Sequence, residues 1–150
     1  MLAGVESARE IENLLYAYAE RIDLGDFDGV AELFTHATLY GEPDGPPETQ
    51  FAGAEAARRL YERSTRRHQD GTPKTKHLIT NAQIEVDDGA GTATCRSYYC
   101  VLQATESLPL QPIVTGRYHD TFAVIDGSWW FTGRTFFVDQ AGDLSQHLLF

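Results

Sequence analysis

Two residues of this chain stand out as suited to proton chemistry: a carboxylate at the end of an apolar helical ridge and a histidine near the start of a strand. Ile11, Leu15, Ala19 and Asp23 recur every four residues, so they project from nearly one helix face. Leu14, Tyr18 and Ile22 run beside them and widen the stripe to core-facing width. A carboxylate buried at the end of such a stripe has to be paired, hydrogen-bonded or put to chemical use, because isolated burial is too costly. The ridge alone also allows Asp23 to end the helix at the surface. His77 falls three residues into a strand, with Ile79 two residues further on, and is the one histidine placed to face inward beside Asp23. It is either a base held by that carboxylate or a satisfied core or edge residue. His36 falls at a helix end, His68 in a basic turn, His147 in the tail, and His119 in a strand with either face open to it. Arg134 sits in the last strand, whose two faces are both apolar enough to be covered, so its guanidinium has to meet an anion. Asp23, a charge developing on a ligand, or a structural ion pair tying helix to sheet would each serve.

Other chemistries find little support. The histidines form no short pair with metal-ligand spacing, and Cys95 and Cys100 do not complete a tetrahedral set, so no metal is expected. The two cysteines lie in one strand, roughly 17 Å apart and on opposite faces, too far to pair with each other. Gly89-Ala90-Gly91 joins two strands and opens no helix, which removes a phosphate cradle. No serine stands in a Gly-x-Ser-x-Gly elbow. Lys and Arg number 12 against 22 Asp and Glu, a formal charge of -10 at pH 7, which argues against nucleic acid as partner. The dense basic run Arg58, Arg59, Arg63, Arg66, Arg67 has the spacing of a solvated helix face. No stretch approaches the length of a membrane span, and Met1 to Glu10 lacks the pattern of a signal peptide. With unpaired cysteines, these features lead to the expectation of a cytoplasmic protein with no membrane partner.

The elements that must position Asp23, His77 and Arg134 read as follows. Ser7 and Glu10 make a capping-box pattern ahead of a first helix that runs to Ile22. Leu24-Gly25-Asp26 breaks it, and Phe27, Val30, Leu33 and Phe34 mark a short second helix. A short strand covers Ala37 to Gly41, and a Pro- and Gly-rich loop covers Glu42 to Glu48. A third helix spans about Ala52 to Arg67, with Ala56 and Leu60 inward. Gln69 to Pro73 is a turn. Strands then cover Lys74 to Val86, with an irregularity near Asn81, Thr92 to Glu106, Ile113 to Ile125 and Ser128 to Asp139. Asp126-Gly127 is a strong tight-turn signal. With 150 residues, 42% of them hydrophobic, the chain suits one domain with a real core. Its body would cover about residues 5 to 139 and a tail residues 140 to 150. Three helices followed by a meander of long strands predict an α+β fold. The curved antiparallel sheet wraps around the three N-terminal helices into a cone with an internal cavity. The tail ends on Leu148-Leu149-Phe150; it is either disordered or folded over the cone mouth, where His147 would reach a ligand.

Several segments together resemble the SnoaL-like proteins of the nuclear transport factor 2-like superfamily. These are Leu15-Tyr16-Ala17-Tyr18, Arg21-Ile22-Asp23, Asp26-Phe27-Asp28-Gly29-Val30 with Leu33-Phe34, and Phe51-Ala52-Gly53. Lys76-His77 with Asn81, Gly116-x-Tyr118-x-Asp120-x-Phe122, and Asp126-Gly127-Ser128-Trp129-Trp130-Phe131 with Arg134 complete the series. The resemblance covers about residues 5 to 139. It is closest to the branch of scytalone dehydratase, bile-acid 7α-dehydratase and hexachlorocyclohexane dehydrochlorinase. There a helix-ending aspartate and a strand histidine form a dyad in the cone, positions matched by Asp23 and His77. Tyr18 matches the tyrosine five before the aspartate, and Arg134 the arginine that follows the last Trp-rich segment. The central strand departs from the pattern: Tyr98, Tyr99 and Cys100 stand where scytalone dehydratase has a second histidine and the bile-acid enzyme an aspartate.

The resemblance implies a cofactor-independent, dehydratase-like lyase or isomerase acting on a small, apolar, cyclic molecule. Its catalytic residues would be His77 as base, Asp23 as its orienter, Tyr18 as hydrogen-bond donor and Arg134 as stabiliser of negative charge. Tyr16, Phe34, Tyr40, Leu60, Tyr98 and Phe136 are the expected lining of the substrate cavity. The alternative is a non-catalytic ligand-binding module or an oxygenase β-subunit-like scaffold on the same fold. Relatives assemble as dimers or trimers, and the aromatic-rich faces of the last strand lead to the expectation of a homodimer or homotrimer.

Overall fold

The computed structural model describes residues 2–150. The first helix, α1 (Leu2–Asp23), carries the apolar ridge: Ile11, Leu15, Tyr18, Ala19 and Ile22 are all buried. It starts earlier than the capping-box pattern predicts. Ser7 lies inside the helix, where its hydroxyl donates to Asp88 Oδ1 at 2.8 Å. Ser7 thus makes a tertiary contact to the loop beyond the third strand instead of a cap. Gly25, with φ +72°, lets the chain leave α1, and the Asp26 side chain caps α2 (Phe27–Leu33) through the Gly29 amide.

Strand β1 (Thr38–Tyr40) is followed by a 3-10 turn (Pro47–Thr49) and by β2 (Gln50–Ala52), a strand absent from the sequence reading. Helix α3 (Gly53–Ser64) buries Ala57 and Tyr61. The predicted pair Ala56 and Leu60 is one residue out of phase and only half-buried, because the helix is turned toward α2 and the sheet about the Ala57–Tyr61 line. The four long strands are β3 (Thr75–Asp87), β4 (Thr92–Gln103), β5 (Gln111–Ile125) and β6 (Ser128–Ala141).

All strands join one six-stranded sheet in the order β2-β1-β6-β5-β4-β3. The sheet is mixed, not purely antiparallel: β1 runs parallel to β6, since the chain crosses from the first to the last strand through the whole domain. It is curved and not closed, and α1 packs across β3. Four register shifts, at Thr80/Gln83, Val101/Leu102, Thr115/Gly116 and Thr121/Phe122, supply the bends. The first contains Asn81 at φ +55°, where the sequence signals an irregularity. Gly116 has no room for a side chain: a Cβ there would fall on the Phe137 carbonyl and the Tyr99 ring and hydroxyl. Its absence lets the Tyr99 hydroxyl cross to Phe137 O, at 2.9 Å. The core gathers between the sheet's inner face and the helices, around Phe34, Leu39, Ile113, Phe122 and Phe131, each at most 1% exposed. Each such side chain contributes roughly 1.5–3 kcal/mol on full burial. No helix of the described residues is long and apolar enough to cross a membrane.

Candidate active site

Asp23 is the last residue of α1, and Thr75 and His77 stand two apart on the inner face of β3, so all three meet at one point. Asp23 Oδ1 lies 2.7 Å from His77 Nδ1 and accepts the Thr75 hydroxyl at 2.8 Å. Oδ2 accepts the backbone N–H of His77 at 2.9 Å. The helix-ending carboxylate is therefore inward, with side chains of Asp23 and His77 only 12% and 6% exposed. A carboxylate only accepts, so the ring proton of neutral His77 sits on Nδ1 and the lone pair on Nε2. His77 borders a cavity of about 260 Å³.

The cavity wall is mainly apolar, with Ile22, Leu60, Val101, Val114, Phe136 and Leu144 among its residues. A dry cavity of about 150 Å³ accepts a benzene ring, so this one has room for a larger, mostly apolar molecule. Its polar groups are few. The Tyr18 and Tyr61 hydroxyls lie 2.9 Å apart, and Tyr118 and Tyr99 complete a group of four tyrosines on the wall. Burial raises the pKa of all four, Tyr99 up to about 12, which keeps them as neutral donors. The Tyr18 ring meets His77 edge-on at 6.2 Å. A wider groove, about 890 Å³, lies beside His68, Asp70, Lys74 and Glu106, but neither Asp23 nor His77 borders it.

Arg134 pairs with Asp120 and not with Asp23. Its Nε and Nη2 donate to the two Asp120 oxygens at 2.7 and 3.0 Å, and both side chains are 0% exposed. Burial works against the guanidinium charge, but Asp120 and the facing tyrosine oxygens together outweigh it and raise the pKa above the ordinary value. The guanidinium lies 3.8 Å from the Tyr118 ring centre and 4.4 Å from that of Tyr18. It does not border the cavity; it sits beneath the tyrosines that do.

Of the expected lining residues, Leu60 and Phe136 border the cavity and the other four do not. Tyr98 is exposed on the outer face of β4, where burial alternates strictly and turns Tyr99 inward instead. Tyr16 lies one position beyond the buried Leu15, on the exposed side of α1, bonded to Glu12. Tyr40 is exposed because its neighbour Leu39 takes the inner face of β1. Phe34 is fully buried, packed against Phe131 in the core below the cavity.

The tail is ordered and supplies part of the wall. Leu144, His147, Leu148 and Phe150 border the cavity, and Leu148 bridges to Thr65 at the end of α3. His147 is 8% exposed, its ring 6.3 Å from that of His77. Burial first, and then neighbouring His77, lower its pKa to about 4. Sequence reasoning passed over Asp120, Tyr61, Tyr99, Tyr118 and Thr75. The alternation Tyr118-x-Asp120-x-Phe122 was the signal that could have shown Asp120 inward with two rings. No group of three or more His, Cys, Asp or Glu suited to a metal ion occurs among the described residues. Cys95, buried, and Cys100 are both free thiols, and burial pushes Cys95 up to about 12.

The fold is shared with several solved structures. A function-unknown protein from Mycobacterium tuberculosis, Rv3472, is 25% identical with a TM-score of 0.73, over 92% of this chain and 75% of that one. A candidate scytalone dehydratase from Novosphingobium aromaticivorans is 23% identical, with a TM-score of 0.72 over 93% and 89% of the two chains. The β subunit of a candidate aromatic-ring-hydroxylating dioxygenase from the same organism is 18% identical, with a TM-score of 0.70 over 93% of each. No protein of curated function matches the sequence. Residues 3–135 match the SnoaL-like domain, and with that match the chain belongs to the SnoaL-like domain family.

Proposed function

We propose that the protein is a cofactor-independent lyase or isomerase of dehydratase type, acting on a small, mostly apolar, cyclic molecule with a carbonyl or comparable activating group. The observation that carries this reading is the 2.7 Å pairing of Asp23 with His77, which borders a mainly apolar cavity. His77 Nε2 takes a proton from the carbon next to the carbonyl, and the C–H electron pair moves into an enolate. Asp23 keeps the imidazole in the required tautomer and stabilises the imidazolium that forms, a role a carboxylate also has in triads. A base so placed contributes typically about 10² to 10⁴ in rate. One hydroxyl of the Tyr18–Tyr61 pair, polarised by the bond it accepts from the other, donates to the oxygen on which charge develops. Arg134 acts at one remove, as the cation under Tyr18 and Tyr118. Where the substrate carries a β-hydroxyl, collapse of the enolate breaks the C–O bond, and the leaving oxygen takes the proton held by the His77 imidazolium and departs as water, which returns His77 to its neutral form.

The other reading is a ligand-binding or oxygenase-subunit scaffold, which the likeness to a dioxygenase β subunit favours at the level of fold. Exchange of α-protons in D2O separates the two without knowledge of the leaving group. Cyclohexanone and β-tetralone serve as probes, followed by proton NMR. The enzyme reading expects exchange above the buffer rate in the wild type and none above it in His77→Gln with an unchanged melting curve. Equal exchange by the two proteins would overturn it.

A further inference from the structure

His147 is the one cavity-lining histidine without a partner. The backbone on either side of it is held firmly. Gln146 O accepts from Gln103 Nε2 at 3.0 Å and lies 2.9 Å from His68 Nε2. Arg66 N donates to His147 O at 2.7 Å, and Leu149 N to Ser64 O at 3.0 Å. A turn with His147 N and Leu148 N both donating to Leu144 O sets the direction of the ring. The main chain is thus stitched to the end of α3 and to β4, yet Nδ1 of the side chain it presents is buried and bonds to nothing. A buried imidazole nitrogen without a hydrogen bond is destabilising, and an apolar residue in its place would avoid that cost. The ring itself borders the cavity, so a turn of it brings this nitrogen to a ligand atom there.

We infer that His147 is a ligand-binding residue of this cavity, hydrogen-bonding a hydroxyl or carbonyl oxygen of a ligand whose remainder is apolar. The inference rests on the cavity being the ligand site and adds the second polar anchor. His77 is flanked by the Tyr18 ring at 6.2 Å and the His147 ring at 6.3 Å, so a ligand over His77 has polar neighbours on both. His147 works there as a neutral group. His77 on β3, Asp23 on α1 and His68 after α3 are the titratable groups near it, and burial with the two histidines outweighs the single carboxylate. A neutral imidazole has one N–H donor and one acceptor nitrogen, which matches a hydroxyl in both senses. The chemical class selected is therefore an oxygenated ring compound over the bare hydrocarbon of the same shape.

The test compares β-naphthol with naphthalene as binding probes by fluorescence titration of wild type, His147→Leu and His147→Gln. A single hydrogen bond to a buried partner corresponds to about three- to tenfold in affinity. The wild type should prefer β-naphthol by at least about that factor. His147→Leu should lose the preference, read as the ratio of the two affinities, and His147→Gln, with an amide donor and acceptor, should keep part of it. An undiminished preference in His147→Leu overturns the inference, as does loss of naphthalene binding together with that of β-naphthol at an unchanged melting point, which would mark a wall-shaping role. Absence of binding of both probes to the wild type overturns it too, by removing the ligand site. Because the readout is binding, a protein that discriminates through His147 yet exchanges no α-protons retains this inference and loses the lyase reading.

Discussion

The sharpest stability prediction concerns Asp120→Asn. In the native protein the Asp120 carboxylate is the sole anion bonded to a guanidinium whose side chain is 0% exposed, through bonds of 2.7 and 3.0 Å. The substitution keeps shape and one acceptor oxygen, removes the charge, and leaves a fully enclosed cation facing tyrosine and phenylalanine rings. Loss of one partner of such a pair costs about 3–5 kcal/mol, roughly a fifth or more of a typical folding free energy of about 5–15 kcal/mol. For a chain of this size each kcal/mol moves the midpoint by about 2–4 °C, so the melt should fall by about 6–20 °C. Asp120→Leu combined with Arg134→Met removes both charges and fills the space with apolar atoms. That pair should recover most of the loss, less about 1–2 kcal/mol for the forfeited contacts of the guanidinium with Tyr18 and Tyr118. Circular dichroism melts and urea midpoints at pH 7, without ligand, measure all three proteins. A melt of Asp120→Asn within about 2 °C of wild type would refute the reasoning. So would a double variant as unstable as the single, since the cost would then not be that of a stranded charge.

Two further outcomes are expected. Folded His147 titrates near 4 and an unfolded histidine near 6.5; the unfolded chain therefore takes up a proton that the folded one refuses as pH falls through that window. Stability due to neutral His147 is present above about pH 6.5 and is lost toward pH 4, by up to about 3 kcal/mol. Urea unfolding at pH 7 and 4.5 should show a smaller acid loss in His147→Leu, and equal losses would refute the assignment. On assembly, we propose that a second copy covers the outer sheet face, where Leu78 and Tyr98 are exposed beside Arg117 and Phe137. Light scattering at micromolar concentration should give two or three times 16.7 kDa, and a monomer mass would refute it.

The features legible in the sequence are those set by local period. The four-residue recurrence from Ile11 to Asp23 brings the carboxylate inward, and the strand alternation of His77 with Ile79 sets the imidazole before it. These rules need no knowledge of partners. The positive-φ Asn81 and the Asp126-Gly127 turn are local as well. What escaped depends on register. Tyr98 and Tyr99 are chemically identical neighbours, and only pairing of Tyr99 with Ile79 and of Tyr98 with Thr80 decides which one enters the cone.

Arg134 gives the clearest case of how one residue of register redirects a function. The turn pairs Ile125 with Ser128 and Phe122 with Phe131, and counting on from there would set Asp120 opposite Gly133. A one-residue shift after Phe122 makes the partner Arg134. The same shift exchanges the inner face of β6 from Trp129 and Phe131 to Arg134 and Phe136. It explains why both faces of this strand look apolar in sequence: each is the inner face for part of its length. Arg134 consequently meets a carboxylate of its own sheet, leaving Asp23 to His77 alone. Two buried carboxylates and two bases are thereby sorted into an ion pair that holds the floor of the cavity and an Asp–His pair on its wall. The second pocket histidine comes from still further away. Its place depends on backbone bonds from the tail to Ser64, Arg66 and Gln103, contacts with no periodic signature, for which Leu148-Leu149-Phe150 at the end of the chain was the single compositional trace.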